Sequence, residues 1–307
     1  DMHISKNLAY GMMAFAAVMW GTSGTFTVLA IEAGATANQV ALFGTLMSAV
    51  ILVGLLAVFD RKAFKIKVKD LPALTVFAVI TGTLFSLAWY NAVDMTSVST
   101  ALILLYSYPS MVTIASIFLL GERMTASKAV ALPLTFVGCV LVAEAYDLEA
   151  VRLNIVGVGL GMFTAIAATV YYVWAKKLLV VYSSSTLALY MTLLMIPGLL
   201  IAVNPFEVLD SPLSADAWLY MFLVGLLPGT LGFVVAMFAL RHIEASRASM
   251  IAGIEPVSGV LLAVLVISET LDLLQAIGIA LVIAAVFVLR FTQKEDDEPI
   301  VEAPPTR

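Results

Sequence analysis

The chain has 307 residues, of which 62% are hydrophobic and only 12% are Asp, Glu, Lys or Arg, and its formal net charge is −5. Its mean hydropathy is +1.05. A water-soluble domain of this length needs far more polar surface, so the composition excludes an ordinary soluble protein. Lipid is the remaining solvent for so apolar a chain.

Apolar runs of membrane-spanning length recur from one end of the sequence to the other. A helix of roughly 20 apolar residues crosses the hydrocarbon core, and the runs predict about ten such helices. Because the runs are apolar on every side, they indicate an all-α integral membrane protein and not a barrel, whose strands alternate apolar and polar residues. The predicted spans are 8–31, 39–59, 71–93, 97–120, 127–145, 153–179, 184–203, 215–240, 245–267 and 271–291. The third and fourth spans, like the eighth and ninth, are close enough to require tight helical hairpins.

Basic residues are distributed unequally between the two sides of this arrangement. The connection from Arg61 to Lys69 carries five of them, and the connections on the opposite side hold only Arg152 together with many acids. Because cytoplasmic connections are enriched in Lys and Arg, both termini are predicted to be cytoplasmic, in a multi-pass protein of the cell (inner) membrane. The acidic, Pro-bearing stretch 293–307 is predicted to be a disordered tail.

Several kinds of site are disfavoured by the residues present. Cys139 is the single cysteine, His3 and His242 are the only histidines, and no HExxH motif occurs, so neither a metal nor another cofactor is expected. The stretch "GVGLGMF" lacks the lysine of a P-loop, which argues against ATP binding. The expected partners are a small-molecule substrate and the lipid bilayer, and nucleic acid is not expected. The protein is expected to be a monomer. An enzyme is not expected; an intramembrane enzyme and a channel stay open as weaker alternatives.

The two halves of the chain share features at an offset of 147 positions. The equivalent pairs are Ala92 and Ala239, Ser99 and Ser246, Ala101 and Ala248, Pro109 and Pro256, and Glu122 and Glu269. Five spans precede the second copy, and this odd number turns it upside down in the membrane. We therefore predict a first five-helix repeat over residues 1–150 and a second, inverted repeat over 151–292. Such repeats place a substrate site near mid-membrane, between the halves.

Four motifs carry a resemblance to a known family. They are "MWGTSG" with Trp20 and Gly21, "YSYPSM" in the fourth span, "GER" just after it, and "EPVSG" in the ninth span. Together with the ten spans, they resemble the drug/metabolite transporter superfamily, EamA type, over nearly the whole chain. Within that group the sequence is most similar to the YddG-type aromatic amino-acid exporters.

The resemblance implies a transporter that exports small metabolites through a central cavity between two five-helix bundles. Neutral or aromatic amino acids are the substrates it favours, and drugs or other metabolites are the alternative. The sequence departs from perfect symmetry where Tyr108 stands opposite Glu255. A mechanism that requires two equivalent acids is therefore in doubt.

Two prolines lie inside predicted spans. Proline removes a backbone donor and its ring collides with the carbonyl four residues earlier. Pro109 and Pro256 should thus break their helices and free the carbonyls of Leu105 and Ala252. Such backbone is tolerated in a membrane where protein or a water-filled cavity meets it. Packing kinks without a cavity are the alternative.

Glu255 lies near the middle of the ninth span. An acid at this depth is costly, so it normally faces protein or a water-filled cavity, and it often belongs to a substrate or proton path. We interpret Glu255 as a ligand for a substrate ammonium group or as a carrier of an exchangeable proton. A buried acid that only stiffens the helix packing is the competing interpretation.

Aromatic and polar side chains at mid-span complete the predicted binding site. Thr83, Ser86 and Tyr90 are spaced i, i+3 and i+7 and should share one helical face. Large rings with a few hydrogen-bonding tips suit a small ligand that has an apolar side chain. The predicted substrate-binding residues are Trp20, Thr83, Ser86, Trp89, Tyr90, Tyr106, Tyr108, Tyr171, Tyr172 and Glu255. Core packing is the alternative role for each aromatic residue.

Overall fold

The structure, a computed structural model, describes residues 5–145, 154–203, 212–266 and 271–291, apart from the side chains at 90, 98, 99 and 291. The predicted tail at 293–307 and Glu269 lie outside these residues. The described part is all-helical and forms ten spans. They are span 1 (Lys6–Glu32), span 2 (Ala37–Phe59), span 3 (Leu71–Ala78, Val79–Leu84 and Phe85–Met95), span 4 (Val98–Leu105 and Tyr108–Leu120), span 5 (Ala126–Val142), span 6 (Ile155–Val181), span 7 (Ser184–Ala202), span 8 (Ala215–Leu226, Leu227–Gly232 and Phe233–His242), span 9 (Ala245–Ile251 and Ile254–Val266) and span 10 (Leu273–Phe291).

The predicted ten-helix membrane fold is confirmed. Nine spans are long and apolar enough to cross a membrane, and span 5, with 17 residues, is shorter. The two tight hairpins are also present, because only Thr96 and Ser97 separate spans 3 and 4, and only Ile243 and Glu244 separate spans 8 and 9. Ser97 caps span 4 by accepting a hydrogen bond from the Thr100 N–H at 3.1 Å.

Spans 3 and 8 share an irregularity that the sequence analysis did not predict. Each contains a six-residue π-helical segment, Val79–Leu84 in span 3 and Leu227–Gly232 in span 8. Both segments contain Gly-Thr-Leu, with Thr83 and Thr230 separated by the offset of 147 positions. Widened turns of this kind interrupt the regular hydrogen bonding and often lie at functional sites.

The helices pack in a pattern that treats the two halves alike. Span 1 packs against spans 8 and 9, and span 6 packs against spans 3 and 4. Span 2 contacts spans 7 and 8, and span 7 contacts spans 2 and 3. The remaining main contacts join span 4 to span 9 and span 5 to span 10. Exchanging each span with the one five places later leaves these largest contacts unchanged, whereas smaller ones, such as those of span 7 with span 8 and of span 5 with span 9, have no equivalent of comparable size among the described residues.

Small residues bring spans 5 and 10 together. A Cβ added at Gly138 would lie 2.9 Å from the Gly278 carbonyl oxygen, and one added at Gly278 would lie 2.8 Å from the Gly138 carbonyl oxygen. Only glycine permits this backbone approach, which is a common way for helices to associate in lipid. Spans 5 and 10 therefore form a closely packed pair, which contacts the rest of the bundle through spans 4 and 9.

Candidate functional site

Spans 4 and 9 are both interrupted just before their prolines. Span 4 stops at Leu105 and resumes at Tyr108, so that Pro109 is the second residue of the new segment. Span 9 stops at Ile251 and resumes two residues before Pro256. Proline is well accommodated in the first turn of a helix because N–H groups there lack intrahelical partners.

The carbonyl of Ala252 is not free. It accepts a hydrogen bond of 2.9 Å from the N–H of Glu255, so the expectation of an open carbonyl before Pro256 is wrong. Pro256 has no N–H to donate to this carbonyl. The turn at Ala252 and Gly253 instead places the N–H of Glu255 within reach of it. In span 4, the N–H and hydroxyl of Ser107 bond to the Leu104 carbonyl at 3.2 and 2.6 Å. No bond to the Leu105 carbonyl is found among the described residues.

Six aromatic rings from five spans meet beside these interruptions. We call them the aromatic cluster: Trp20, Phe77, Tyr108, Tyr171, Tyr172 and Phe233. Tyr108 stacks on Tyr172 with ring centroids 5.7 Å apart, and Tyr172 meets Tyr171 edge to face at 5.1 Å. Tyr171 also lies 6.3 Å from Trp20 and 6.1 Å from Phe233. Such contacts stabilise beyond the area they bury and fix the rings in place.

Two polar atoms of the cluster are buried without a partner. The Tyr171 hydroxyl and the Trp20 indole nitrogen each lack a hydrogen bond to any described residue. An unmet buried hydrogen-bonding group costs about 1–3 kcal/mol, so such groups commonly mark a place for water or ligand. Tyr108 differs, because its hydroxyl donates to the Ser249 carbonyl of span 9 at 3.3 Å.

Glu255 is the second residue of the second segment of span 9 and lies next to the aromatic cluster. Its charge interacts electrostatically with Tyr106, Tyr108 and Tyr172 of spans 4 and 6, and with Cys139 of span 5. The residue is half-buried, and no described group donates a hydrogen bond to its carboxylate. A mid-span carboxylate in this state is available to a cationic group or a proton.

A glycine contact fixes the position of Glu255 relative to span 1. A Cβ added at Gly21 would lie 2.5 Å from the Glu255 carbonyl oxygen and 2.8 Å from the Gly259 nitrogen. The Ser258 hydroxyl donates to that same Glu255 carbonyl at 2.8 Å. The added Cβ would also collide with the Ser258 hydroxyl, which can rotate, but the atoms of Glu255 and Gly259 belong to the backbone and cannot turn aside.

Gly21→Ala should therefore push spans 1 and 9 apart. We expect a loss of about 1–3 kcal/mol in the free energy of unfolding, typical of overpacking at a tight contact, together with reduced transport. Gly24→Ala is the matched control on the same helix, because nothing lies within 4 Å of its added Cβ. Thermal unfolding followed by fluorescence-detected size exclusion measures both variants. Equal melting temperatures for the two variants would contradict this close approach.

Span 3 holds four of the predicted substrate-binding residues, Thr83, Ser86, Trp89 and Tyr90. Thr83 lies in the π-helical segment, donates to the Met195 carbonyl of span 7 at 3.0 Å, and packs on Gly198. Ser86 and Trp89 are half-buried, and the side chain of Tyr90 lies outside the described structure. Tyr106 is buried and ends the first segment of span 4.

A second polar centre, which the sequence analysis did not identify, joins the two halves at one end of the bundle. We call it the ion-pair cluster: Glu122, Lys128, Glu244 and Arg247. The fully buried Lys128 ammonium lies 3.3 Å from Glu122 and 3.2 Å from Glu244. Arg247 donates to Glu244 at 2.7 Å. The "GER" motif contains Glu122, but the partners come from spans 5 and 9 and from the turn at Glu244.

Neighbouring groups fasten the turn between spans 8 and 9 to this cluster. Glu122 accepts a hydrogen bond of 2.7 Å from the Ala245 N–H and further bonds from the N–H and hydroxyl of Ser246. Lys176 of span 6 donates to three carbonyls at the end of span 8, those of Leu240, Arg241 and Ile243, at 2.6 to 3.1 Å. An open crevice of about 470 Å³ runs past Glu122, Lys176 and Glu244. No group of side chains suited to holding a metal ion occurs in the described residues.

The fold and this site define a class of protein. Ten apolar helices, two of them broken at mid-span beside a carboxylate, are typical of a membrane transporter, in which interrupted helices form the substrate site. A solved structure superimposes on 96% of this chain and 100% of its own with a TM-score of 0.80 at 14% identity, a likeness of fold alone.

The family follows from the sequence comparisons. The profile of the EamA-like transporter family matches the chain twice, over residues 7–143 and 155–291, and the chain belongs to this family. Two proteins of Archaeoglobus fulgidus, each named an uncharacterized transporter, are 27% identical to it: one over 72% of this chain and 76% of its own, the other over 91% and 97%. The Salmonella typhimurium protein named uncharacterized inner membrane transporter YicL is 23% identical over 89% of this chain and 92% of its own. The chain is a multi-pass membrane transporter.

Proposed function

We propose that this transporter exports neutral amino acids, preferably aromatic ones, by alternating access around the site between spans 1, 4, 6, 8 and 9. The observation that carries the proposal is the half-buried Glu255 carboxylate, which has no hydrogen-bond donor among the described residues and lies beside the aromatic cluster. An amino acid combines a cationic ammonium group with an apolar side chain, and the two parts of the site match those two features. The similarity to YddG-type exporters points to the same substrate class.

Glu255 is proposed to alternate between two charge partners. A substrate ammonium group close to the carboxylate favours its charged form, and burial without a cation favours the protonated form. Substrate binding and proton binding then exclude each other at one side chain. Exchange of a proton for an amine across the membrane follows from that competition.

The alternation is proposed to occur between two inverted halves, residues 1–150 and 151–292. Three observations support it: the paired π-helical segments in spans 3 and 8, the paired interruptions of spans 4 and 9, and the largest contacts between helices, which are preserved when the halves are exchanged. The family profile also matches each half separately. Two similar halves that differ in orientation can exchange their conformations and so open the same site to either side.

A substrate panel tests the proposal. Purified protein reconstituted into liposomes loaded with one labelled amino acid should accelerate its exchange with external neutral amino acids, with aromatic ones the most effective. Protein-free liposomes and liposomes containing the Glu255→Gln variant are the controls. Transport of drugs or sugars without exchange of any neutral amino acid would replace the substrate class, and a steady conductance without exchange would indicate a channel.

Tyr171→Phe tests whether the cluster contacts the substrate. The change removes a buried hydroxyl that has no described partner, so stability should stay equal or rise slightly. If that hydroxyl meets a substrate, KM should rise about fivefold to tenfold, the loss expected for one hydrogen bond of about 1 kcal/mol. Tyr190→Phe is the control, because it removes a hydroxyl outside the aromatic cluster, which donates to the Phe64 carbonyl at 2.9 Å. An unchanged KM in Tyr171→Phe would remove this hydroxyl from the site.

The proposed orientation places both termini in the cytoplasm of a cell whose inner membrane holds the protein, as the name of the YicL relative suggests. A cysteine introduced at Lys65 should react with an impermeant maleimide only from the cytoplasmic side, and one at Glu149 or Asp210 only from outside. The native Cys139 is 1% exposed and gives little background. Labelling of both positions from the same side would overturn the ten-span orientation.

A further inference from the structure

We propose that the connection between spans 2 and 3 is a binding surface for the headgroups of acidic phospholipids. Residues 60–70, with the sequence "DRKAFKIKVKD", hold five basic and two acidic side chains, a net charge of +3. We call this connection the basic loop. It is independent of the substrate site and of the proposed substrate.

The cations of the basic loop are displayed outward. Arg61, Lys62, Lys65, Lys67 and Lys69 are all exposed. Lys65 and Lys67 have extended backbone, in which alternate side chains point the same way, and Ile66 between them packs on the hydrophobic core. Of the two acids, Asp70 is engaged by Tyr182, which donates to its carboxylate at 2.6 Å. The lysines therefore face solvent without a matching set of acids in the described structure.

The shape of the basic loop is fixed by contacts to spans 6 and 7. The Tyr182 hydroxyl accepts a hydrogen bond of 3.3 Å from the Lys67 N–H, and the Tyr190 hydroxyl donates to the Phe64 carbonyl at 2.9 Å. Burial, together with the hydrogen bond to Asp70, raises the pKa of Tyr182, so that its phenol stays protonated and keeps this bond. Ala63 is fully buried. A fixed loop loses less conformational freedom when a ligand binds than a flexible tail would.

Apolar side chains border the cations at the membrane surface. Phe59 at the end of span 2 is 81% exposed and Val68 within the loop is 82% exposed. An acidic phospholipid offers both complements, an anionic phosphate for the lysines and acyl chains for the apolar residues. Clusters of Lys and Arg next to a membrane helix attract anionic lipids by this combination. The general enrichment of Lys and Arg in cytoplasmic connections explains why these cations lie on one side of the membrane. It does not explain why the loop holds them in a fixed conformation beside exposed apolar side chains.

Native mass spectrometry of the full-length protein tests the proposal. Detergent-solubilised protein is titrated with phosphatidylglycerol or phosphatidylcholine, and the Kd of the first bound lipid is compared. We expect tighter binding of phosphatidylglycerol, with its Kd raised about 25-fold in the Lys65→Gln/Lys67→Gln variant because each of the two cations near the headgroup contributes on the order of fivefold. Both side chains are exposed, so the variant should fold, which its melting temperature verifies.

A control variant that neutralises two cations elsewhere distinguishes binding at the basic loop from a general effect of net charge. Arg123→Gln/Lys177→Gln removes two exposed cations outside the basic loop and should leave the phosphatidylglycerol Kd unchanged. Equal losses in the two double variants, or equal Kd values for the two lipids in the wild type, would overturn the proposal. Displacement of the lipid by inorganic phosphate at equal concentration would also overturn it, since the surface would then bind any anion.

Discussion

Lys128→Met is expected to lower the free energy of unfolding by about 3–5 kcal/mol, the loss typical of removing one partner from a buried ion pair. Lys128 is fully buried and its ammonium joins Glu122 of one half to Glu244 of the other. Methionine fills a similar volume, so the loss reports the missing charge and not a cavity. The Glu244 side chain is 40% exposed and water can solvate it, whereas the Glu122 side chain is only 7% exposed and would bear most of the loss.

The size of this effect is tested by paired variants. Lys177→Met removes an exposed lysine and should change the melting temperature little. Combining Lys128→Met with Glu122→Gln should cost less than the sum of the two single changes, because glutamine leaves no uncompensated charge and its one amide oxygen still accepts a hydrogen bond from Ala245 or from Ser246. A Lys128→Met protein that unfolds at the wild-type midpoint would show that the ion-pair cluster does not hold the two halves together.

Glu255→Gln is expected to reduce exchange about tenfold or more while the protein still folds. The change keeps the volume and a hydrogen-bonding group but removes the charge. A charge-assisted hydrogen bond exceeds a neutral one by about 1–1.5 kcal/mol, which corresponds to about a tenfold change in affinity. The pH dependence of exchange should flatten as well, because glutamine cannot take up the proton that is proposed to compete with substrate.

The measurement is the initial rate of labelled amino-acid exchange in liposomes over a range of pH, with the amount of correctly folded protein set by size exclusion. Ser258→Ala is the control one turn away, because it alters a hydroxyl that bonds only to main-chain carbonyls of spans 1 and 9. If Glu255→Gln exchanges normally across the pH range in which the wild type changes, the carboxylate is structural. Selectivity would then rest on the aromatic cluster and the backbone alone.

Much of the fold could be predicted because lipid imposes strong constraints on sequence. Span number, the two hairpins and the all-helical class follow from apolar length and from the need to satisfy every backbone group within the helix. The breaks near Pro109 and Pro256 were also readable, since proline cannot donate to the preceding turn. The hydrogen bond to the Ala252 carbonyl could not be predicted, because it depends on a two-residue turn that lets the N–H of Glu255 reach this carbonyl.

The candidate site was only partly readable from sequence. Mid-span aromatic residues could be predicted as site residues when their side chains carry a hydroxyl or an indole N–H, as those of Trp20, Tyr171 and Tyr172 do. Phe77 and Phe233 belong to the same aromatic cluster but were missed, because nothing distinguishes them from the other 14 of the 16 phenylalanines. Thr83 lies in a π-helical segment that the sequence did not predict, and its hydrogen bond to the Met195 carbonyl depends on how spans 3 and 7 cross.

The sequence by itself determined the solvent of this protein, the number and length of its helices, the positions of its helix breaks and the place of Glu255 inside the ninth span, since each depends on residues close together in the chain. Only the tertiary structure decided which of these features meet. Glu122 and Ser246 are 124 positions apart and Tyr10 and Arg247 are 237 apart, yet both pairs are hydrogen-bonded. Such contacts depend on how whole helices cross, and because the hydrophobic effect does not operate between helices within lipid, close packing and polar pairs select the arrangement.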